Sequence, residues 1–314
     1  MRWNKLKNIV ITGAAGTIGK KVIKYLLMEG KYNITAIDLK TGHNKHILSK
    51  YKKRIDIIYA DITNDTVFEE VIKKSDFVIH LAGVMPPLAD FNKNLCYSGD
   101  YKGTENIVRI IDFFNPNCYL LYASSTSVYG SQKSEDVSVN TKCNEESLGF
   151  YAKNKLNSEN IIKNKLKNYS IFRLPIILCN PIEENYMFSY KSNAKFEVVS
   201  DEDAGYMFAR AIDKIDKLNK KTFNVGGGKT CITTGSKLNN DILKNIGLSS
   251  KYIKTKLFID KNFYSYIYKD SDKLDEILTF RNDSIDSYFL RQKRKGKSYF
   301  IRKLFGRIFY RNKK

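Results

Sequence analysis

Short apolar runs alternate with stretches of helical periodicity over the first 180 residues of the chain. The runs fall at 8–12, 33–38, 55–60, 77–82, 118–124 and 170–178. Their apolar content is too continuous for strands with one wet face, and suits a parallel sheet covered on both sides. Between the runs, spacings of three and four recur, as in Val22, Ile23, Leu26 and Leu27, or Ile107, Ile110, Ile111 and Phe114. That spacing marks helices with one buried face. The pattern predicts an α/β fold with a doubly wound parallel sheet through about residue 180. Beyond it the pattern loosens: 201–213 reads as a helix, 222–225 as a strand and 237–246 as a helix. The expected organisation is a main domain over 1–180, a smaller, interleaved C-terminal portion over 181–290, and a tail over 291–314.

The first run feeds Gly13-Ala14-Ala15-Gly16-Thr17-Ile18-Gly19 and then a helical stretch. In a doubly wound sheet this is where a dinucleotide binds. Gly13 makes the tight turn, Gly16 lets the backbone approach a pyrophosphate, and Gly19 lets helix and strand pack closely. The phosphates would face free N–H groups at the helix N-terminus, where Thr17 and Ile18 stand. A plain strand–helix turn also accepts three glycines. Asp38, which closes the second run nineteen residues after Gly19, weighs against that alternative. Its carboxylate can accept both ribose hydroxyls and would repel a 2′-phosphate. The expectation is a Rossmann-type domain that prefers NAD to NADP, with Lys40 nearby as the contrary charge.

A second constellation follows the fifth run. Ser124-Ser125-Thr126-Ser127-Val128-Tyr129-Gly130 lies at the strand's carboxyl end, and Tyr151-Ala152-Lys153-Asn154-Lys155 opens a helix twenty-six residues after Ser125. Positions i and i+4 share a helix face, so Tyr151 and Lys155 can address one site. A phenol with a pKa of about 10 is a poor base at neutral pH. An ammonium and an oxidised nicotinamide beside it both favour the phenolate. The Ser125 hydroxyl can bond the same substrate oxygen. The Tyr-x-x-x-Lys spacing alone also occurs by chance on helices; its weight comes from standing in order after the glycine turn, Asp38 and the serine-rich strand end.

With these motifs in place, the chain resembles the extended short-chain dehydrogenase/reductase family, in its NAD-dependent epimerase/dehydratase branch, over about residues 8–290. Further residues carry the likeness: Asp61-Ile62, His80-Leu81-Ala82-Gly83, Gly103-Thr104-Glu105-Asn106, Phe172-Arg173-Leu174-Pro175, Asp203-Ala204 and Phe223-Asn224-Val225 with Gly226–Gly228. The resemblance implies that Asp61 and Ile62 border the adenine of NAD. It implies that Leu81, Ala82 and Gly83 line the nicotinamide side, with Pro175 as a further neighbour of the cofactor. Ser125 falls at the family's catalytic Ser/Thr, with Ser124 as the alternative, beside Tyr151 and Lys155. A nucleotide-sugar substrate and a homodimer joined through 95–114 and 150–166 are also implied. The activity expected is a nucleoside-diphosphate-sugar epimerase working through a transient keto-sugar. A keto-sugar reductase consuming external cofactor, and a dinucleotide-binding sensor without turnover, are the alternatives.

The departures from the family pattern matter as much. Asp100 stands where the family usually has Asn. Thr126 and Ser127 replace the Asp-Glu pair that dehydratases carry, which removes the acid needed to expel a hydroxyl. Ile176 follows Pro175 where many sugar-nucleotide enzymes have Asn. The stretch 181–195 is short for a nucleotide-holding loop. Lys191, Lys195, Lys229 and Arg281 are candidate phosphate partners, although solvated surface charge is the better description of most. The Gly226–Gly228 run could cradle a phosphate, but a turn between strand and helix is the preferred reading.

Composition adds the compartment and the tail. No apolar run approaches the length of a membrane span, and five cysteines without a C-x-x-C argue for free thiols,. A cytoplasmic protein without a metal site is expected. The net charge of +21 is unevenly spread: residues 291–314 hold eleven Lys or Arg and no acid, so they carry +11 of it. No base-reading motif or aromatic platform accompanies the charge, which argues against specific nucleic-acid binding. Written as a helix, the tail places Ile301, Leu304, Phe305, Ile308 and Phe309 on one side amid arginine and lysine. That suits an anionic membrane surface. Docking on the protein's own body, disorder, or non-specific nucleic-acid contact would also use such a segment.

Overall fold

The computed structural model of the protein describes residues 6–63, 68–86, 88–134, 136–179, 190–245 and 266–294. Its strands in chain order are β1 (Lys7–Thr12), β2 (Tyr32–Asp38), β3 (Asp56–Tyr59), β4 (Phe77–His80), β5 (Tyr119–Ser125) and β6 (Asp136–Val137), then β7 (Tyr169–Leu174), β8 (Ile176–Leu178), β9 (Lys195–Ser200), β10 (Lys221–Asn224), β11 (Ile232–Thr234) and β12 (Ile267–Tyr268). Seven of them make one sheet in the order β10-β7-β5-β4-β1-β2-β3. Every pairing within it is parallel. Winding reverses between β1 and β4, so the carboxyl ends of these neighbours open a crevice, the usual ligand position in such sheets.

Side-chain alternation along each strand feeds a core on each face. On β1, Ile9 and Ile11 join Val22 and Leu26 of the helix Thr17–Glu29 and Phe208 of the helix Asp201–Ala211. Val10, between them, joins Val78, Leu120 and the opposite helices Gly103–Phe114 and Phe150–Lys165 through Ile107, Ile111 and Ile162.

The apolar run 170–178 predicts one strand; it is two. β7 pairs with β5 in the main sheet, whereas β8 pairs with β9 in a three-stranded sheet, β11-β9-β8. Pro175 lies between them. It has no N–H to give to a ladder, so the chain leaves one sheet there and enters another. Around the smaller sheet, Leu178, Tyr190, Phe196, Val198, Leu238 and Tyr288 form a separate core. Chain from beyond residue 180 also returns to the main layers. β10 hydrogen-bonds beside β7, and Lys21 of the first helix reaches Asp201 at 3.3 Å and Glu202 at 2.5 Å on the helix Asp201–Ala211. The helix Ile285–Arg294 anchors itself through buried Tyr288 and Phe289. The tail's first arginine, Arg291, belongs to this helix and pairs with Asp283; residues 295–314, with the expected amphipathic stripe, lie outside the described residues. Among the described residues, no helix is long and apolar enough to cross a membrane, and no cluster of His, Cys, Asp and Glu could hold a metal ion.

Candidate functional site

The glycine turn sits at the crevice. Gly13 has φ +66, and a Cβ there would lie 2.7 Å from the Ala82 amide nitrogen. The turn is thus pressed directly against the Leu81–Ala82 backbone, a contact that only glycine permits. Gly19 packs its Cα on the carbonyls of Gly13 and Ala14, where a Cβ would come within 2.4 Å of Gly13 O. Gly16 N-caps the helix Thr17–Glu29 without a side-chain cap, which leaves that helix's first amides available to an anion.

Asp38, half-buried at the end of β2, is tied into the same turn. Its Oδ2 accepts the Ala15 amide at 2.8 Å, and its Oδ1 accepts the Leu39 amide and Asn44 Nδ2 at 2.8 and 2.9 Å. Burial pushes its pKa up, and the two backbone amides oppose that. Oδ2 retains a lone pair for a ribose hydroxyl. Asp61 is exposed, with Oδ1 accepting both the amide and the hydroxyl of Thr63. Ile62 is buried beneath Gly103. Leu81 and Ala82 are fixed by their amides, which donate to Thr12 O and Thr12 Oγ1. Pro175 is buried at the sheet change.

The second constellation assembles across the crevice. Ser124 and Ser125 alternate on β5. Ser124 turns inward and donates to Glu159 Oε1 at 2.7 Å, while Ser125 accepts both the amide and the hydroxyl of Ser127. Tyr151 and Lys155 share one face of the helix Phe150–Lys165, with Lys155 Nζ 5.7 Å from the Tyr151 ring centre. Burial pushes the Tyr151 phenol up to about 12; Lys155 pulls it down, Asp100 and Tyr122 push it up, and a hydrogen bond with Ser125 lowers it. Burial therefore outweighs the lysine. Burial also opposes the charge on Lys155, but the facing Tyr122, Asp100 and Tyr151 outweigh it and hold the ammonium pKa well above its ordinary value.

Several members of the cluster stand at positions the sequence singles out without assigning them a role. Asp100, fully buried in the π-helical turn Tyr97–Lys102, places Oδ1 3.1 Å from Lys155 Nζ. His80 at the end of β4 is also fully buried. Its Nδ1 lies 2.7 Å from Thr12 Oγ1, and its Nε2 lies 2.9 Å from Thr104 Oγ1. Thr104 donates to Asp100 O, so its oxygen must accept from the histidine, which assigns the proton to Nε2 of a neutral ring. Burial, with Lys155 as the lesser cause, pushes His80 down to about 3. A chain of bonds thus runs from the Ala82 amide through Thr12, His80 and Thr104 to Asp100. Behind it, Arg173 Nε and Nη2 grip Glu159 at 2.9 and 2.8 Å. Polar residues in apolar strands and helices were the available signal for both groups.

The remaining candidates are accounted for differently. A Cβ on Gly226 would sit on the Glu197 carboxylate, and Gly228 donates its amide to Glu197 Oε1 at 2.7 Å. Arg281 donates to Gly226 O and Ser271 Oγ and pairs with Asp272. That glycine run is a turn packed on a buried acid, and its arginine is already engaged. Lys195 and Lys229 are exposed, and Lys191 half-buried. Thr126 and Ser127 are buried, with Thr126 Oγ1 donating to Leu174 O. Residues 180–189, most of the short loop, lie outside the described residues.

A glycine turn closed by an acidic strand end, facing Ser125, Tyr151 and Lys155 across the crevice, defines a dinucleotide-dependent α/β enzyme. The model of the NAD dependent epimerase/dehydratase family matches residues 9–190, and the chain belongs to that family. The residues fit the family's cofactor, because the turn offers free helix amides and Asp38 retains an acceptor for the ribose of NAD. The chain is 26% identical over 202 residues to D-erythronate dehydrogenase of Haemophilus influenzae, a match that covers 62% of this chain and 63% of that protein. In fold it is similar to dTDP-glucose 4,6-dehydratase of Bacillus anthracis in complex with NAD, with TM-score 0.75, 16% identity, and 93% and 98% of the two chains covered. It is also similar to UDP-glucuronic acid 4-epimerase of Bacillus cereus in complex with UDP-glucuronic acid and NAD, with TM-score 0.73, 17% identity, and 91% and 99% covered.

Proposed function

We propose that the protein is an NAD-dependent epimerase of a nucleoside-diphosphate sugar. The observation that carries the reading is Tyr151 and Lys155 on one helix face, with the Ser125 hydroxyl against the phenol, above the glycine turn. Bound NAD supplies the hydride acceptor and, for the return step, the donor. Tyr151, as phenolate, takes the proton from a sugar hydroxyl. Ser125 donates to the oxygen that becomes a carbonyl. Lys155 keeps the phenolate available and offers a proton to the nicotinamide ribose. The keto-sugar turns over, and Tyr151 returns its proton to the oxygen as the other face is reduced, with no net redox. Gly13, Gly16, Thr17, Ile18, Gly19, Asp38, Asp61, Ile62, Leu81, Ala82, Gly83 and Pro175 would hold the cofactor. Residues 181–290 would shape the sugar pocket.

The neutral pair Thr126 and Ser127 argues against dehydratase chemistry. The likeness to a dehydrogenase favours a second reading, net oxidation or reduction of a sugar derivative at the same residues. Only that reaction changes reduced-cofactor absorbance stoichiometrically. Turnover of nucleotide-sugars by wild type and Tyr151→Phe tests both readings. The variant should keep NAD binding and lose roughly 10²–10⁴-fold in rate; unchanged turnover overturns the mechanism.

Two partners belong to the same proposal. Leu95, Tyr97, Phe113 and Phe114 are exposed apolar groups within 95–114, one of the two segments expected to join a homodimer, and light scattering at micromolar concentration tests that assembly. The basic segment 291–314 would seat the enzyme on an anionic membrane.

A further inference from the structure

We propose that Asp100 is a positioning residue for this site: its buried carboxylate holds the Lys155 ammonium and offsets that charge at Tyr151, setting the pH at which Tyr151 becomes a base. The inference rests on the reading above and assigns a role to the position where the chain departs from its family's asparagine.

The geometry isolates a pair. Asp100 is fully buried and Lys155 nearly so. Oδ2 of Asp100 accepts the Val84 amide at 3.2 Å and the Cys96 thiol at 3.4 Å. Oδ1 accepts no aligned hydrogen bond and faces Lys155 Nζ at 3.1 Å. Lys155 donates to Ala123 O at 3.3 Å, which leaves it another proton for a ligand. Gly83 covers the pair: a Cβ there would lie 2.4 Å from Asp100 Oδ1 and 3.2 Å from Lys155 Nζ. Thr104 and Ser158 donate their hydroxyls to the main-chain carbonyl of Asp100 and fix the backbone that carries this side chain, while the Val84 and Cys96 bonds to Oδ2 hold the carboxylate itself. It therefore has little freedom to swing away from the ammonium.

The other groups facing the pair carry no compensating charge. Tyr122 on β5 lies under Lys155 with its ring centre 5.3 Å away. His80 on β4 is neutral, and burial with the neighbouring Asp100 pushes the Cys96 thiol up to about 11. Glu159, further along the helix, is spent on Arg173 and Lys163. Asp100 is thus the anion that cancels the lysine's field at the phenol. An asparagine of the same shape would still accept from Val84 but would leave Lys155 uncompensated, so Tyr151 would ionise at lower pH.

The test labels tyrosine Cζ with carbon-13 in the full-length protein and follows ionisation by NMR, with and without added NAD. The Tyr151 signal is the one missing from Tyr151→Phe. In Asp100→Asn its phenolate should appear at a pH lower by roughly one unit or more than in the wild type. In active enzyme the acid limb of kcat/KM should move by the same amount, which a merely structural role would not produce. Asp100→Ser is a second neutral variant should the first fail to fold. Equal phenolate fractions in the wild type and a folded neutral variant overturn the role of Asp100. That outcome leaves the catalytic reading standing, because Tyr151→Phe turnover tests it separately.

Discussion

The Asp38 carboxylate accepts the Ala15 amide at 2.8 Å, so the acid that should read the ribose also braces the glycine turn. Two effects follow from one side chain. Asp38→Ala should weaken NAD binding and erase the preference over NADP, because a 2′-phosphate would no longer face a partly buried carboxylate. It should also lower stability by about 1 kcal/mol through the orphaned, part-buried Ala15 amide,. Calorimetric titration with both cofactors and a denaturant melt check the two parts. Tighter NADP than NAD binding by the unaltered protein would sink the first.

The adjacent serines of β5 should separate in the same way. Ser125→Ala should reduce turnover with little change in stability. Ser124→Ala should leave turnover nearly intact but cost about 1–3 kcal/mol, since its hydroxyl bonds a buried ionised glutamate,. Paired kinetics and melts decide it; a rate loss confined to Ser124→Ala reverses the assignment.

His80 predicts an acid sensitivity. Its folded pKa is pushed down to about 3, against about 6.5 when unfolded. Below pH 6.5 the unfolded chain takes up a proton that the folded chain refuses, so stability falls as pH falls, by about 1.4 kcal/mol per unit. Asp203, raised to about 6 by burial, acts in the opposite sense over much of that range. The comparison with His80→Gln therefore isolates the histidine. Between pH 6.5 and 4 the stability difference between wild type and variant should shift steadily toward the variant; parallel curves would refute a neutral buried His80.

Removing residues 295–314 should abolish pelleting with anionic vesicles while leaving NAD binding intact. Binding of the full chain should need anionic lipid and weaken with salt. Equal pelleting of both proteins would discard membrane seating.

What was legible in the sequence was local. The six apolar runs locate the first strands because a strand buried on both faces must be apolar throughout. The glycine turn, Asp38 at its strand end and the Tyr151–Lys155 spacing are likewise set within a few residues of chain. Tertiary structure decided what depends on distant partners. Pro175 marks a break in the sequence, but only pairing of β8 with β9 shows that the chain changes sheets there. That Ser124 turns inward to bond Glu159, thirty-five residues away, while Ser125 does not, is likewise a matter of packing. The sequence already favours a turn at Gly226–Gly228, but only the structure shows the buried Glu197 and Arg281 packed against it. Asp100 stands out in the sequence as an unusual residue; its 3.1 Å approach to Lys155 joins segments fifty-five residues apart. Local propensity is written along the chain, whereas the partner of a buried charge is settled by packing, because burial leaves the charge no water to turn to.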